Sequence, residues 1–178
     1  MMITMGEFLD YSKKRIIQTV FELDGNESAK ILRRYAPFCY TTLEENGITI
    51  TLCNSLSMAK QKESLGHISY QGIESVQLFV TKKIGVVFSL PSVVLYLNVI
   101  INLNSGEHIH FECDELELIP KLISLFGKEN IVVHDPFNLS TIMNEKMSIE
   151  QVHEYLRKNL DELSKGNDIP VWRMNLVK

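Results

Sequence analysis

The chain has 178 residues, a formal net charge of −4, and 45% hydrophobic and 22% charged residues. That balance excludes a disordered chain, which needs low hydrophobicity with high net charge, and a chain near this length buries roughly two-thirds of its unfolded surface without disulfides or metals. The acidity disfavours a nucleic-acid binder, whose surface must concentrate basic residues to release counterions; the basic clusters Lys13-Lys14-Arg15, Arg33-Arg34, Lys60 with Lys62, and Lys82-Lys83 are short and read as solvated surface.

Phe8, Leu9, Ile16, Val20 and Leu23 approximate one helical face, so a helix is predicted over residues 8–23, stopped by Asp24-Gly25-Asn26. A second, shorter helix is expected over 28–35, ending before Pro37. The texture then turns to β. Residues 38–44 and 48–53 flank Asn46-Gly47, a strong hairpin signal. A two-residue turn there sets Leu43 opposite Ile50 and Thr41 opposite Leu52. Residues 56–64 read as a polar connector, and 67–70 and 73–81 as strands around Gln71-Gly72.

Residues 84–103 are about as long as a membrane helix, roughly 20 residues. Pro91, Asn98 and Asn102 interrupt them, and β-branched residues dominate the second half. Buried strands with a break at residues 89–91 are therefore predicted. Val93, Leu95, Leu97, Val99, Ile101 and Leu103 fill one strand face. The turn Asn104-Ser105-Gly106 leads to a returning strand over 107–113, with Ile101 opposite Ile109 and Val99 opposite Phe111.

An amphipathic helix is predicted over 115–126, with Asp114 as its cap, Gly127 as its stop and Pro120 weakening its first turn. Residues 130–134 form a short strand-like run, and 135–147 a connector. A last helix over 148–163 opens with the capping box Ser148-x-x-Gln151 and carries the seam Ile149, Val152, Leu156, Leu160 and Leu163.

The candidate chemistry is sparse. His108, His110 and Glu112 alternate on a strand, so they share one face about 7 Å apart. Two imidazoles and a carboxylate are a donor set that suits a divalent metal, and Asn102 is expected near His108 across the hairpin. The same alternation also makes an ordinary polar sheet face opposite Ile109, Phe111 and Cys113. His134 and Asp135 are neighbours on a strand end and point to opposite faces, so they are not expected to pair. Nucleophile elbows and phosphate loops are missing, and no cofactor is implied. Cys39, Cys53 and Cys113 include no C-x-x-C pair and read as free thiols of a reducing compartment. No secretory signal is read in the first ten residues, so a cytoplasmic location is expected. The sole tryptophan, Trp172, is either a partner-binding anchor or a tail residue docked on its own domain.

His67-Ile68-Ser69-Tyr70-Gln71-Gly72-Ile73-Glu74-Ser75-Val76 resembles a recurrent strand of bacterial pleckstrin-homology-like domains, and residues 99–126 are similar to that family's last hairpin and capping helix. The resemblance covers residues 38–126. It implies an α+β fold: a bent antiparallel sheet or partly open β-barrel capped by a helix, here with N-terminal and C-terminal helical additions. The expected organisation is a helical segment over 1–36, the β domain with its helix over 37–134, and a connector, helix and tail over 135–178, all in one compact unit. The family supplies no catalytic set.

The leading expectation is therefore a non-enzymatic module that contacts another protein through a sheet edge, the 148–163 helix or Trp172. One alternative is a metal-dependent enzyme built on His108, His110 and Glu112. The other is a peripheral membrane-binding domain using Lys82-Lys83, which the overall acidity disfavours. Oligomeric state is left open, with docking of the last helix inside its own chain preferred to pairing with a second copy.

Overall fold

The computed structural model describes residues 3–23, 38–54, 59–87, 90–144 and 147–172. The helix expected over 28–35 lies outside them. The secondary structure is mixed α and β: α1 (Met5–Ser12), β1 (Ile17–Leu23), β2 (Cys39–Glu44), β3 (Gly47–Asn54), β4 (Ala59–Lys60), β5 (Gly66–Ser69), β6 (Ile73–Val87), β7 (Leu90–Leu103), β8 (His108–Cys113), α2 (Ile119–Lys128), β9 (Val132–His134), α3 (Leu139–Asn144) and α4 (Ile149–Asn167). Strand order is β4-β3-β2-β1-β8-β7-β6-β9, with β5 also on β3. The chain divides into two units, Met1–Val76 with Ile100–Cys113, and Gln77–Val99 with Asp114–Lys178.

In unit 1 the helix expected over 8–23 is a helix only to Ser12; residues 17–23 are a strand. β1 is buried along most of its length, but its run Ile17-Gln18-Thr19-Val20-Phe21-Glu22-Leu23 is short enough that its apolar residues fit a helical spacing as well as a strand's. It pairs in parallel with β2 (Thr19 with Cys39) and with β8 (Ile17 with Phe111), the setting in which strands are covered on both sides. The sheet is thus mixed rather than wholly antiparallel. Phe21 meets Phe111 edge to face at 5.8 Å between ring centres, a favoured aromatic geometry.

The β2–β3 hairpin turns at Glu45-Asn46 and not at Asn46-Gly47, so Leu43 faces Ile48 and Thr41 faces Ile50. A two-residue slip preserves the inward face. Gly47 has no positive φ; its hydrogen side chain serves a close approach, since a Cβ there would stand 2.2 Å from the Ile68 carbonyl oxygen of β5. The β7–β8 turn matches its expectation: Gly106 has φ +83° and the Leu103 N–H donates to the Glu107 carbonyl at 2.8 Å.

Residues 84–87 end β6 and residues 90–103 form β7, so Leu90 and Pro91 of the expected break lie in a strand, while residue 89 lies outside the described residues. Among the described residues no helix is long and apolar enough to cross a membrane.

In unit 2 a 3-10 turn at Leu116–Leu118 precedes α2, which has no side-chain cap. Asp114 is not the cap because the α-helix starts at Ile119, placing Pro120 in the first turn where its missing N–H costs nothing. Gly127 lies inside α2. The stop is Asn130 at φ +58°, with Ile131 N–H to Phe126 O and Asn130 N–H to Gly127 O, the paired bonds of a Schellman end. Ser148 and Gln151 cap α4 reciprocally, as the capping box predicted, and α4 runs on to Asn167. Val152, Leu156 and Leu160 are fully buried within the chain. Ile149 and Leu163 are half-buried, and Ser164 takes the seam's last buried place.

Candidate functional site

The strand triplet is split by burial. His108 is exposed at the start of β8, whereas His110 and Glu112 are buried. Glu112 sits opposite Gln18 of β1 and accepts from its side-chain amide at 3.3 Å. The β7–β8 turn, with Leu103 opposite Glu107, places Asn102 opposite His108 as expected, and the Asn102 side-chain amide donates to the Ser75 hydroxyl at 3.0 Å. Among the described residues no three His, Cys, Asp or Glu side chains converge closely enough to hold an ion. The His134–Asp135 dipeptide is divided too: His134 is exposed, and the Asp135 carboxylate accepts from the Leu139 and Ser140 N–H groups at 2.8 Å each, capping α3. Cys39 is buried. Burial pushes its thiol up to about 12, against the opposing bonds to Thr19 and Thr41.

A groove of about 590 Å³ lies beside the first turns of α4, lined by the acids Asp114, Glu117, Glu150 and Glu154 with His153 and Arg157. Burial and the Arg157 charge hold His153 below its ordinary value, while Glu117 and Glu150 pull the other way. Two of the acids are already engaged: Glu150 accepts from the Ser148 hydroxyl and Glu154 from Lys158, both at 2.7 Å.

The feature that stands out in unit 2 is one face of the β6–β7 hairpin. Asn98 donates to the Thr81 hydroxyl at 3.0 Å, and the Lys83 ammonium lies 4.8 Å from the Tyr96 ring centre. Those residues therefore share one face. Strand alternation then places Leu78, Val80, Lys82 and Ile84 with Val93, Leu95, Leu97 and Val99 on the other. Burial along this second face runs out toward the hairpin end. Leu78, Val80, Leu95 and Leu97 are closed from solvent, but Val93 is 40% and Ile84 76% exposed.

Lys82 marks the border between covered and open. It and Lys83 are both buried, so the pair expected at the surface is not a solvated basic patch. The Lys82 ammonium bonds Asp161 of α4 at 2.9 Å and lies 5.9 Å from the Trp172 ring centre, a cation–π contact. The Lys82 N–H donates to the Val171 carbonyl at 2.8 Å, and Lys82 and Trp172 form an isolated parallel bridge. The tail reaches this place because Asp168, at φ +54°, ends α4 in a left-handed turn. Trp172 itself stays 47% exposed. Trp172 thus docks on its own unit, the second of its two expected fates, while much of its ring stays exposed. Trp172 and the Lys82-Lys83 pair are visible in the sequence, whereas Asp161 and Ile84 carry no signal there, because the cluster depends on segments far apart in the chain.

No family model, curated protein or solved structure matches this chain.

Proposed function

We propose that the chain is a non-enzymatic interaction module that contacts another protein through the open end of the β6–β7 face. One observation carries this reading. Of the six large apolar side chains exposed among the described residues, five belong to unit 2: Ile84, Val93, Val132, Tyr155 and Trp172. Ile84 and Val93 continue the apolar face that forms the buried core a few residues away, and exposed continuations of a core face are typical of contact surfaces. The pleckstrin-homology-like reading of residues 38–126 belongs to the same proposal. Its support is the antiparallel β2–β3 and β3–β5 pairs, the β7–β8 turn and the helix α2 that comes after it. A reducing, cytoplasmic setting fits the three free thiols.

The test is a comparison of affinity isolation from native lysate for the natural chain and the double substitution Ile84→Asp, Val93→Asp. The natural chain is expected to return a specific partner that the substituted chain loses, with stability changed by less than about 0.5 kcal/mol, as for exposed positions. Retention of every partner by the substituted chain would contradict the proposal.

A further inference from the structure

We infer that the tail contact at Lys82 is the self-occupied form of a strand-docking site, and that an extended partner segment bearing an aromatic residue replaces Val171 and Trp172 there. This rests on the protein-contact reading above and names the chemistry of the partner.

Three features support it. First, the tail makes the kind of contact that strand addition makes: a main-chain bond from the Lys82 N–H to Val171 and parallel pairing of Lys82 with Trp172. Main-chain bonds of this sort accept any extended chain, and side-chain pockets then choose among them. Second, the choosing group is specific. The buried Lys82 ammonium, fixed by Asp161, presents a cation to a ring; an aromatic face suits it and an aliphatic side chain does not. Third, the contact is partly open: the Trp172 ring is left nearly half exposed, so an incoming segment can reach it.

The parallel direction also constrains the residues beyond the aromatic one. A segment seated with its ring on Lys82 runs toward Ile84, and side chains on one face recur every second residue. The second residue after the aromatic one therefore lies beside Ile84, whose 76% exposure offers an apolar surface. The recognised pattern is aromatic, any residue, apolar. Bound in that way, a partner segment lies along the exposed end of the face at Ile84.

Trp172 is the only tryptophan, so its fluorescence reports the contact in the full chain. The probe is a synthetic peptide of residues 169–178 with phenylalanine in place of Trp172, which does not emit with tryptophan. Adding it should move Trp172 emission to the red and raise its quenching by acrylamide, with saturation below about 1 mM. Ile84→Asp should leave the resting emission unchanged and raise the peptide concentration needed by about tenfold, the scale of losing one good apolar contact. Unchanged emission at saturating peptide solubility, or equal displacement in Ile84→Asp, would overturn the inference. Sedimentation of the same samples reads a different occupant: a dimer that peptide converts to monomers would put a second copy's tail at Lys82 and also overturn it. Loss of a partner by the Ile84→Asp, Val93→Asp chain without peptide displacement would sink this inference alone and leave the protein-contact reading standing.

Discussion

Glu22 in unit 1 and Lys82 in unit 2 are both charged side chains buried on a strand, yet their partners differ. Glu22 is held by Lys60 of β4 and by the Thr42 hydroxyl of β2 at 2.9 Å. These partners belong to strands of its own sheet, and the Lys60 side chain is only 34% exposed. Lys82 is held by Asp161, whose side chain is 64% exposed, and by the half-open ring of Trp172. The first charge is closed in by its own sheet. The second is closed by groups that are themselves largely exposed. Burial of a charge alone therefore does not separate the two pairs; the exposure of what satisfies it does.

The sharpest separation comes from the core of unit 2. Leu156 lies at the middle of the α4 seam and is fully buried, so Leu156→Ala should lower stability by about 2–4 kcal/mol, the range for a large-to-small core change. Denaturant unfolding measures it. A loss well under about 1 kcal/mol would mean that the whole unit is loosely packed, and the contrast would then lie between units and not between two ion pairs. Sedimentation should show no change of association state in this variant, because the chain itself covers the seam.

Next in size is Lys60→Ala, which leaves Glu22 buried with only Thr42. Breaking a buried pair costs more than an exposed one, but the partial exposure of Lys60 screens the loss; about 1–3 kcal/mol is expected in the same assay. Asp161→Asn should cost less than about 1 kcal/mol, because its carboxylate is mostly in solvent. It should nonetheless red-shift the Trp172 emission by freeing the Lys82 ammonium. Equal losses in the two variants would erase the comparison.

The smallest effect concerns pH. His153 is held below its ordinary value of about 6.5 chiefly by burial, with Arg157 adding to it. The unfolded chain therefore binds this proton more readily than the folded one. Its contribution to stability is complete above the unfolded value and is lost as pH falls through the folded one. His153→Gln should flatten the stability profile below about pH 6.5 and leave it unchanged near about pH 8. A profile unchanged at both ends would show that His153 is hydrated in the folded groove.

Legibility in the sequence depended on range. The β7–β8 turn and the Ser148 cap rest on residues within a few positions of one another, and both were read correctly. The Asn46-Gly47 signal misled because Gly47 is needed for the approach of Ile68, not for a turn conformation. Asp114 misled because Pro120 lets α2 begin at Ile119 without a capping side chain. β1 was hidden because its strand character comes from parallel partners, one of them, Phe111, far along the chain. The site was hidden for the same reason. Lys82-Lys83 looks like a surface pair until α4 and the tail are laid against it.

The tail's hold on β6 is expected to open while the rest of the fold stays closed. Residue-resolved hydrogen exchange tests this directly. The Lys82 amide, bonded to Val171, should exchange at least about 10-fold faster than the amides of Leu97 in β7 and Thr41 in β2, through a local opening insensitive to denaturant. Exchange of Lys82 at the same rate as Leu97, and only through global unfolding, would contradict it.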